Sequence, residues 1–325
     1  MNYPPFQPLT RSAHLLTVAA NFWPRDYTRN PYPAERRLFD TTPGVKVLGL
    51  VQQPRQTPRG HAILLHGLEG SHESGYMRSM AQTALDAGFA VTRLNMRTCG
   101  GTEAHARTLY HAGLTEDLAA VIEQLDGPLF LIGYSLGGNV VLKLAGELGP
   151  AAASKIAAVA AVSTPIDLDA CCRQMMRREN RLYENRFLSR LRARYLRRVA
   201  AYPDIFSAEG LDRVRSVYEF DDRFTAPHFG FGTAANYYAT QSSQNFLDRI
   251  AVPTLLIQAQ DDPLIPFRVF EHPAIRANRN IELLAPQHGG HVGFLSRRAP
   301  RFWNDEVLRD WLFRRAATQA HSPVT

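Results

Sequence analysis

From about residue 36 the chain alternates short apolar, β-rich runs with segments whose apolar positions recur at helical spacing. Strands are expected near 37–42, 45–51, 61–66, 89–95, 128–132 and 156–163, and helices near 76–87, 115–125 and 139–148. The last quarter resumes the alternation with strands near 253–258 and 281–284, a helical stretch near 266–277 that Pro273 interrupts, and a final helix near 303–315. In that final helix Val307, Leu308, Trp311 and Leu312 fall on one face. Eight strands alternating with helices predict an α/β protein, a mostly parallel sheet flanked by helices on both faces.

Between residues 165 and 248 the pattern changes. β-rich runs vanish, arginine becomes frequent, and Leu188, Leu191, Tyr195 and Val199 recur at helical spacing. This segment reads as a helical cap (165–248) inserted between two parts of one core, 33–164 and 249–325. Residues 1–32 contain five prolines and read as an extended N-terminal arm.

Composition adds constraints. Of 325 residues, 45% are hydrophobic and 21% charged, ordinary for a globular protein with a full core. The longest apolar runs fall well short of the roughly 20 residues that cross a bilayer, and the first residues lack a basic, then apolar, leader pattern. A cytoplasmic location is expected. Cys99, Cys171 and Cys172 form no CxxC pair, so reduced structural thiols are expected and no metal site. The formal net charge of +7 favours an anionic partner. No nucleic-acid motif accompanies it. Ten arginines between positions 173 and 198 instead invite peripheral contact with an anionic membrane, if the apolar stripe of that segment lies on lipid; the alternative is a solvated arginine face paired with Glu179 and Glu184.

The chemistry centres on Gly133-Tyr134-Ser135-Leu136-Gly137, preceded by a strand-like run and followed by a helix-like one. A serine on a strained strand-to-helix turn needs small residues two positions either side, and this context is the nucleophile elbow of an α/β-hydrolase fold. A serine hydroxyl needs a base and an acid to orient that base, which in this fold follow in the order acid, then histidine. Asp261-Asp262-Pro263 ends one late strand and His288-Gly289-Gly290-His291 ends the next. Asp262, tied to a Pro-rich turn, is preferred over Asp261, whose side chain points the other way from an extended backbone. His291, after two glycines that allow close backbone approach, is preferred over His288. The expected oxyanion donors are the backbone amides of Leu136 and of Leu68 in His66-Gly67-Leu68-Glu69-Gly70. His66 is expected to buttress that loop and not to act as a base.

Taken together, His66 to Ser71, Asn95-Met96-Arg97 with Cys99-Gly100-Gly101, Thr115-Glu116-Asp117, Gly133 to Asn139 and Asp261-Asp262-Pro263 resemble the YheT-like esterases. Phe220-Asp221-Asp222 with Thr225-Ala226-Pro227, Tyr237-Tyr238, and Gly289 to Phe294 extend the resemblance over residues 4–315. It implies a relative of the ABHD-type lipid hydrolases, acting on short-chain esters, acylglycerols or phospholipid-like substrates. One departure is Arg97-Thr98-Cys99, where the family commonly has Arg-Gly-Cys. Asp221-Asp222 and Tyr237-Tyr238 read either as substrate-positioning groups or as anchors docking the cap.

The expected reaction is ester hydrolysis through an acyl-enzyme on Ser135, without a cofactor. Acyl transfer to an alcohol uses the same residues, and a non-catalytic binding role on the same scaffold is the third reading.

Overall fold

The computed structural model describes residues 3–25 and 31–320. Residues 1, 2 and 26–30 of the expected arm, and 321–325 of the second core segment, lie outside the described residues. The centre is one sheet of eight strands: β1 (Ala34–Asp40), β2 (Lys46–Gln52), β3 (His61–Leu65), β4 (Ala90–Leu94), β5 (Leu129–Tyr134), β6 (Ile156–Val162), β7 (Thr254–Ile257) and β8 (Ile281–Leu284). Their spatial order is β1-β2-β4-β3-β5-β6-β7-β8. β1 runs antiparallel to β2 and β2 to β4, and every later pairing is parallel. This is the expected mostly parallel α/β sheet.

Helices α1 (Ala13–Phe22), α2 (Gly75–Asp86), α3 (Glu116–Glu123) and α4 (Leu136–Leu148) belong to the part before β6. Alternate strand residues point to opposite faces, which sorts the core into two layers. Ile63 and Leu65 pack with Leu118, Val121, Val141 and Leu144 of α3 and α4. Ala62 and Leu64 pack with Met77 and Met80 of α2 and with Val307, Leu308 and Trp311 of the helix Trp303–Ala320. Each fully buried Leu or Val contributes about 1.5–3 kcal/mol by leaving water, so both layers hold the strand ends rigidly.

Between β6 and β7 the chain builds helices α5 (Leu168–Met175) and α6 (Arg181–Ala201), several short turns, and the helix Ala234–Gln241. They enclose a separate apolar cluster that includes Leu188, Leu191, Tyr195, Phe220 and Tyr237. The two ends of this helical segment meet. Gln244 N donates to the Ile166 carbonyl (3.0 Å) and Leu168 N to Ser242 Oγ (3.0 Å). Asn139 of α4 clamps the junction: its Oδ1 accepts Ser243 N (2.8 Å), and its Nδ2 donates to the carbonyls of Ala112 and Gln241 (3.0 Å each).

Two expectations change. Residues 13–22 of the supposed extended arm are helical: Pro8 and Pro24 lie outside the run, Ser12 caps it by accepting Leu15 N (3.4 Å), and Leu16 and Ala20 bury against Leu295. In the arginine-rich segment, Leu188, Leu191 and Tyr195 face the protein interior, so that stripe is not available to lie on lipid. Two of its arginines are themselves buried: Arg198 Nη1 donates to the Glu103 carbonyl (2.6 Å), and Arg194 is described below. The partners expected for this face divide. Glu179 pairs with Arg177 (3.1 Å), whereas Glu184 is buried and accepts Val217 N (3.4 Å).

Candidate active site

Ser135 stands between β5 and α4 with φ +50° and ψ −120°, a conformation that side-chain-bearing residues rarely adopt. The flanking glycines make the turn feasible. A Cβ on Gly133 would run into the Gly137 backbone, and one on Gly137 into the carbonyls of Leu65 and His66. Gly67 brings its own backbone against the serine, where an added Cβ would lie 3.0 Å from Ser135 Cβ.

The two adjacent aspartates after β7 do different work. Asp262, 5% exposed, accepts Leu264 N (2.9 Å) and Ile265 N (3.1 Å) on Oδ1. Its Oδ2 accepts Gln258 Nε2 (3.2 Å) and lies 2.9 Å from His291 Nδ1. Asp261 Oδ2 instead lies 3.0 Å from His288 Nδ1, and its Oδ1 accepts Gly290 N (2.9 Å). His291 Nε2 is 3.1 Å from Ser135 Oγ. The structure therefore brings Ser135, His291 and Asp262 together and sets His288 with Asp261 apart as a brace of the histidine loop.

His66 is wholly buried. Its Nδ1 donates to the Gly67 carbonyl (2.8 Å) while its Nε2 accepts Met96 N (3.1 Å), so both ring nitrogens are engaged. Burial lowers its pKa to about 4, which keeps it neutral. Around it, Gly67 N donates to Tyr76 Oη (3.0 Å) and Glu69 N to Tyr110 Oη (3.2 Å). The amide between them, Leu68 N, and the Leu136 amide have no acceptor among the described residues. Both residues border the same cavity as Ser135. Glu69 is itself left-handed (φ +57°), and its carboxylate forms a buried ion pair with Arg194 of α6. Arg194 also donates to Tyr110 Oη (2.8 Å) and stacks on that ring (4.4 Å).

A mainly apolar cavity, bordered by Leu109, Phe187, Leu191, Tyr195 and Leu264, opens at Ser135 beneath the inserted helices. Asp221 and Tyr238 line it as well, with Tyr238 Oη donating to Asp221 Oδ2 (2.6 Å); burial raises the Asp221 pKa to about 6. Asp222 is an anchor that accepts Ala234 N (2.8 Å), whereas Tyr237 both borders the cavity and accepts Ala112 N on its Oη (2.7 Å). A second, more polar groove reaches Ser135 and His291 past Thr17, Val18, Arg186 and Arg190. Several remaining motif residues are structural ties, notably the buried Arg97–Asp117 pair (2.6 and 2.9 Å). Among the described residues no group of three or more His, Cys, Asp or Glu is arranged to hold a metal ion, and no helix is long and apolar enough to cross a membrane.

Sequence reasoning missed Thr17, Tyr76, Tyr110 and Arg194. Thr17 Oγ1 accepts His291 N (2.9 Å) and donates to the Ala13 carbonyl (2.7 Å), so α1 braces the histidine from a distant part of the chain. A single threonine in a helix carries no sequence signal for such a contact.

A family model described as alpha/beta hydrolase fold matches residues 61–297. YheT of Escherichia coli (strain K12), which carries the name of an esterase, is 33% identical over 312 residues, covering 93% of this chain and 90% of that protein. The mouse (Mus musculus) protein named phospholipase ABHD3 is 28% identical over 258 residues, covering 77% of this chain and 62% of its own length. Among solved structures, an esterase from Pyrococcus furiosus superposes with a TM-score of 0.60 at 18% identity, covering 97% of this chain and 99% of the other, a likeness of fold.

Proposed function

This chain belongs to the YheT-like esterases of the α/β-hydrolase family, carboxylic ester hydrolases, and from that premise we propose that Ser135, His291 and Asp262 form its catalytic triad. The observation that carries the reading is the unbroken relay from Asp262 Oδ2 to His291 Nδ1 (2.9 Å) and from His291 Nε2 to Ser135 Oγ (3.1 Å). An ionised Asp262 keeps the proton on Nδ1, which leaves Nε2 free to take the serine proton as Oγ attacks the ester carbonyl. The oxyanion then meets the two unengaged amides of Leu68 and Leu136, each of the kind whose loss costs about 10²–10³ in turnover. Nε2 returns its proton to the departing alcohol, and water releases the acid from the acyl-enzyme by the same relay.

The inserted helices act as a cap, and the apolar cavity beneath them fits the acyl chain of an acylglycerol or phospholipid-like ester. The polar groove past Arg186 and Arg190 fits the alcohol side. Relatives bearing the name phospholipase support that substrate class. A fluorophosphonate probe tests the assignment: it should label the folded wild type on Ser135 alone, and Ser135→Ala should abolish labelling with the thermal midpoint nearly unchanged. A folded wild type that resists the probe would sink the proposal.

A further inference from the structure

Helix α1 presents Leu15, Val18 and Phe22 to solvent, 61%, 46% and 69% exposed, while its other face buries Leu16 and Ala20. The spacing places the three exposed side chains on one stripe. An apolar stripe facing water on a helix only ten residues long gains nothing for folding. A neighbour extends it: His14 Nδ1 lies 3.1 Å from Tyr183 Oη with the rings stacked, and next to Tyr183, at the start of α6, Leu182 is 83% exposed.

The stripe has a charge and a direction. Val18 and Phe22 share the walls of the polar groove with Arg186 and Arg190, and that groove leads to Ser135 and His291. Both arginines are exposed and belong to no ion pair among the described residues. The carboxylates bordering the groove are already engaged, Glu69 with Arg194 and Glu73 with Arg78 and Arg93 (3.5 Å each). The unneutralised charge at the mouth is therefore positive.

We infer that the exposed face of α1, with Leu182, Arg186 and Arg190, docks this protein on an anionic phospholipid surface so that the groove to Ser135 opens against the lipid. Apolar side chains enter the acyl boundary while the arginines meet phosphate, and an ester passes to the serine without first dissolving in water. A second copy of the chain fits less well, because a two-fold contact through this patch sets the arginines of one protomer against those of its partner. The inference rests on the hydrolase reading for what enters the groove. The docking itself is measured separately.

The experiment compares sedimentation of the full chain with phosphatidylcholine vesicles and with vesicles also containing phosphatidylglycerol, alongside turnover of p-nitrophenyl acetate free in solution. The wild type should bind the anionic vesicles preferentially and release them as salt shortens the Debye length. Leu15→Ser with Leu182→Ser should weaken binding at least about tenfold, given the apolar area removed from the lipid, with soluble-ester turnover unchanged. Arg186→Gln with Arg190→Gln should erase the preference for anionic lipid. Equal sedimentation with both vesicle types, no sedimentation at all, or loss only of a concentration-dependent dimer in the Leu15→Ser, Leu182→Ser variant would each overturn the docking face. Soluble-ester turnover decides the hydrolase reading independently of these results.

Discussion

The Thr17 hydroxyl accepts the backbone amide of His291 across 274 residues of sequence, at 2.9 Å. A helix that looks peripheral thus sets the height of the loop that carries the proposed base. Glycine at position 290 makes the approach possible, since a Cβ there would press into Thr17 and the Ala13 carbonyl.

Thr17→Val removes that acceptor and leaves the His291 amide unpaired, which costs about 1–3 kcal/mol. The expected result is a lower thermal midpoint together with a fluorophosphonate labelling rate reduced roughly three- to thirtyfold, as the imidazole loses its alignment with Ser135. Thr17→Ser keeps the oxygen and should label at close to the wild-type rate. Equal rates for all three proteins would show that α1 does not position the histidine.

The neighbouring aspartates give opposite expectations. Asp262→Asn replaces the acceptor on His291 Nδ1 and favours the wrong tautomer, so kcat should fall at least about 100-fold and as far as about 10⁴. Asp261→Asn disturbs only the His288 and Gly290 contacts and should cost less than about tenfold. Measuring kcat for each single variant on one activated ester distinguishes them, and the reverse ranking would move the acid to Asp261.

Thr98 is a buried, β-branched residue held at φ +60°, and its hydroxyl has no hydrogen-bond partner among the described residues. The left-handed region costs such a residue about 1–2 kcal/mol, and glycine accepts it freely at a smaller entropic cost in the unfolded chain. Thr98→Gly should therefore stabilise the protein by about 1 kcal/mol. A midpoint in urea that stays put or falls would indicate that the threonine methyl contributes packing that outweighs the strain.

Burial raises the Asp305 carboxyl pKa from 3.8 to about 7, against the stabilising contacts it receives from Ser79 and Asn304. Between those two values the folded state holds a proton that the unfolded state has released, so stability falls as pH rises from about 4 to about 7 and is level above. At full ionisation the loss is on the order of 4 kcal/mol. Asp305→Asn removes the titration, and the difference in thermal midpoint, variant minus wild type, should be more favourable at pH 8 than at pH 5. The same difference at both pH values would show that Asp305 does not carry this dependence.

What the chain reveals before folding follows from how local each constraint is. Gly133 and Gly137 are legible around Ser135 because the motif that needs them is contiguous in sequence, although the carbonyls that crowd Gly137 belong to distant Leu65 and His66. Inner strands such as β3, β5 and β6 are legible because burial on both faces forces continuous apolar runs, whereas β1 is exposed along most of its length. The stripe Leu188, Leu191 and Tyr195 announces a helix but not what it packs against, and its inward direction is decided by the inserted helices together. Arg194 and Arg198 look like the eight other arginines of their segment, since their partners Glu69 and Glu103 come from distant loops. Helix α1 is hidden by the prolines on either side of it, which read as extended chain although they only bound a ten-residue helix.

The closed neck of the inserted segment has an evolutionary consequence. Gln244 meets Ile166, Leu168 meets Ser242, and Asn139 fastens the returning end, through Gln241 and Ser243, to the helix that starts at the nucleophile, so the segment leaves and rejoins the core at nearly one point. Lengthening a chain between fixed ends adds only about 0.6 kcal/mol per doubling of its length. The helices beyond the neck can therefore change in length at little closure cost while β6, β7 and the serine turn keep their geometry, provided their own ties to the core, such as Arg194 to Glu69, are kept.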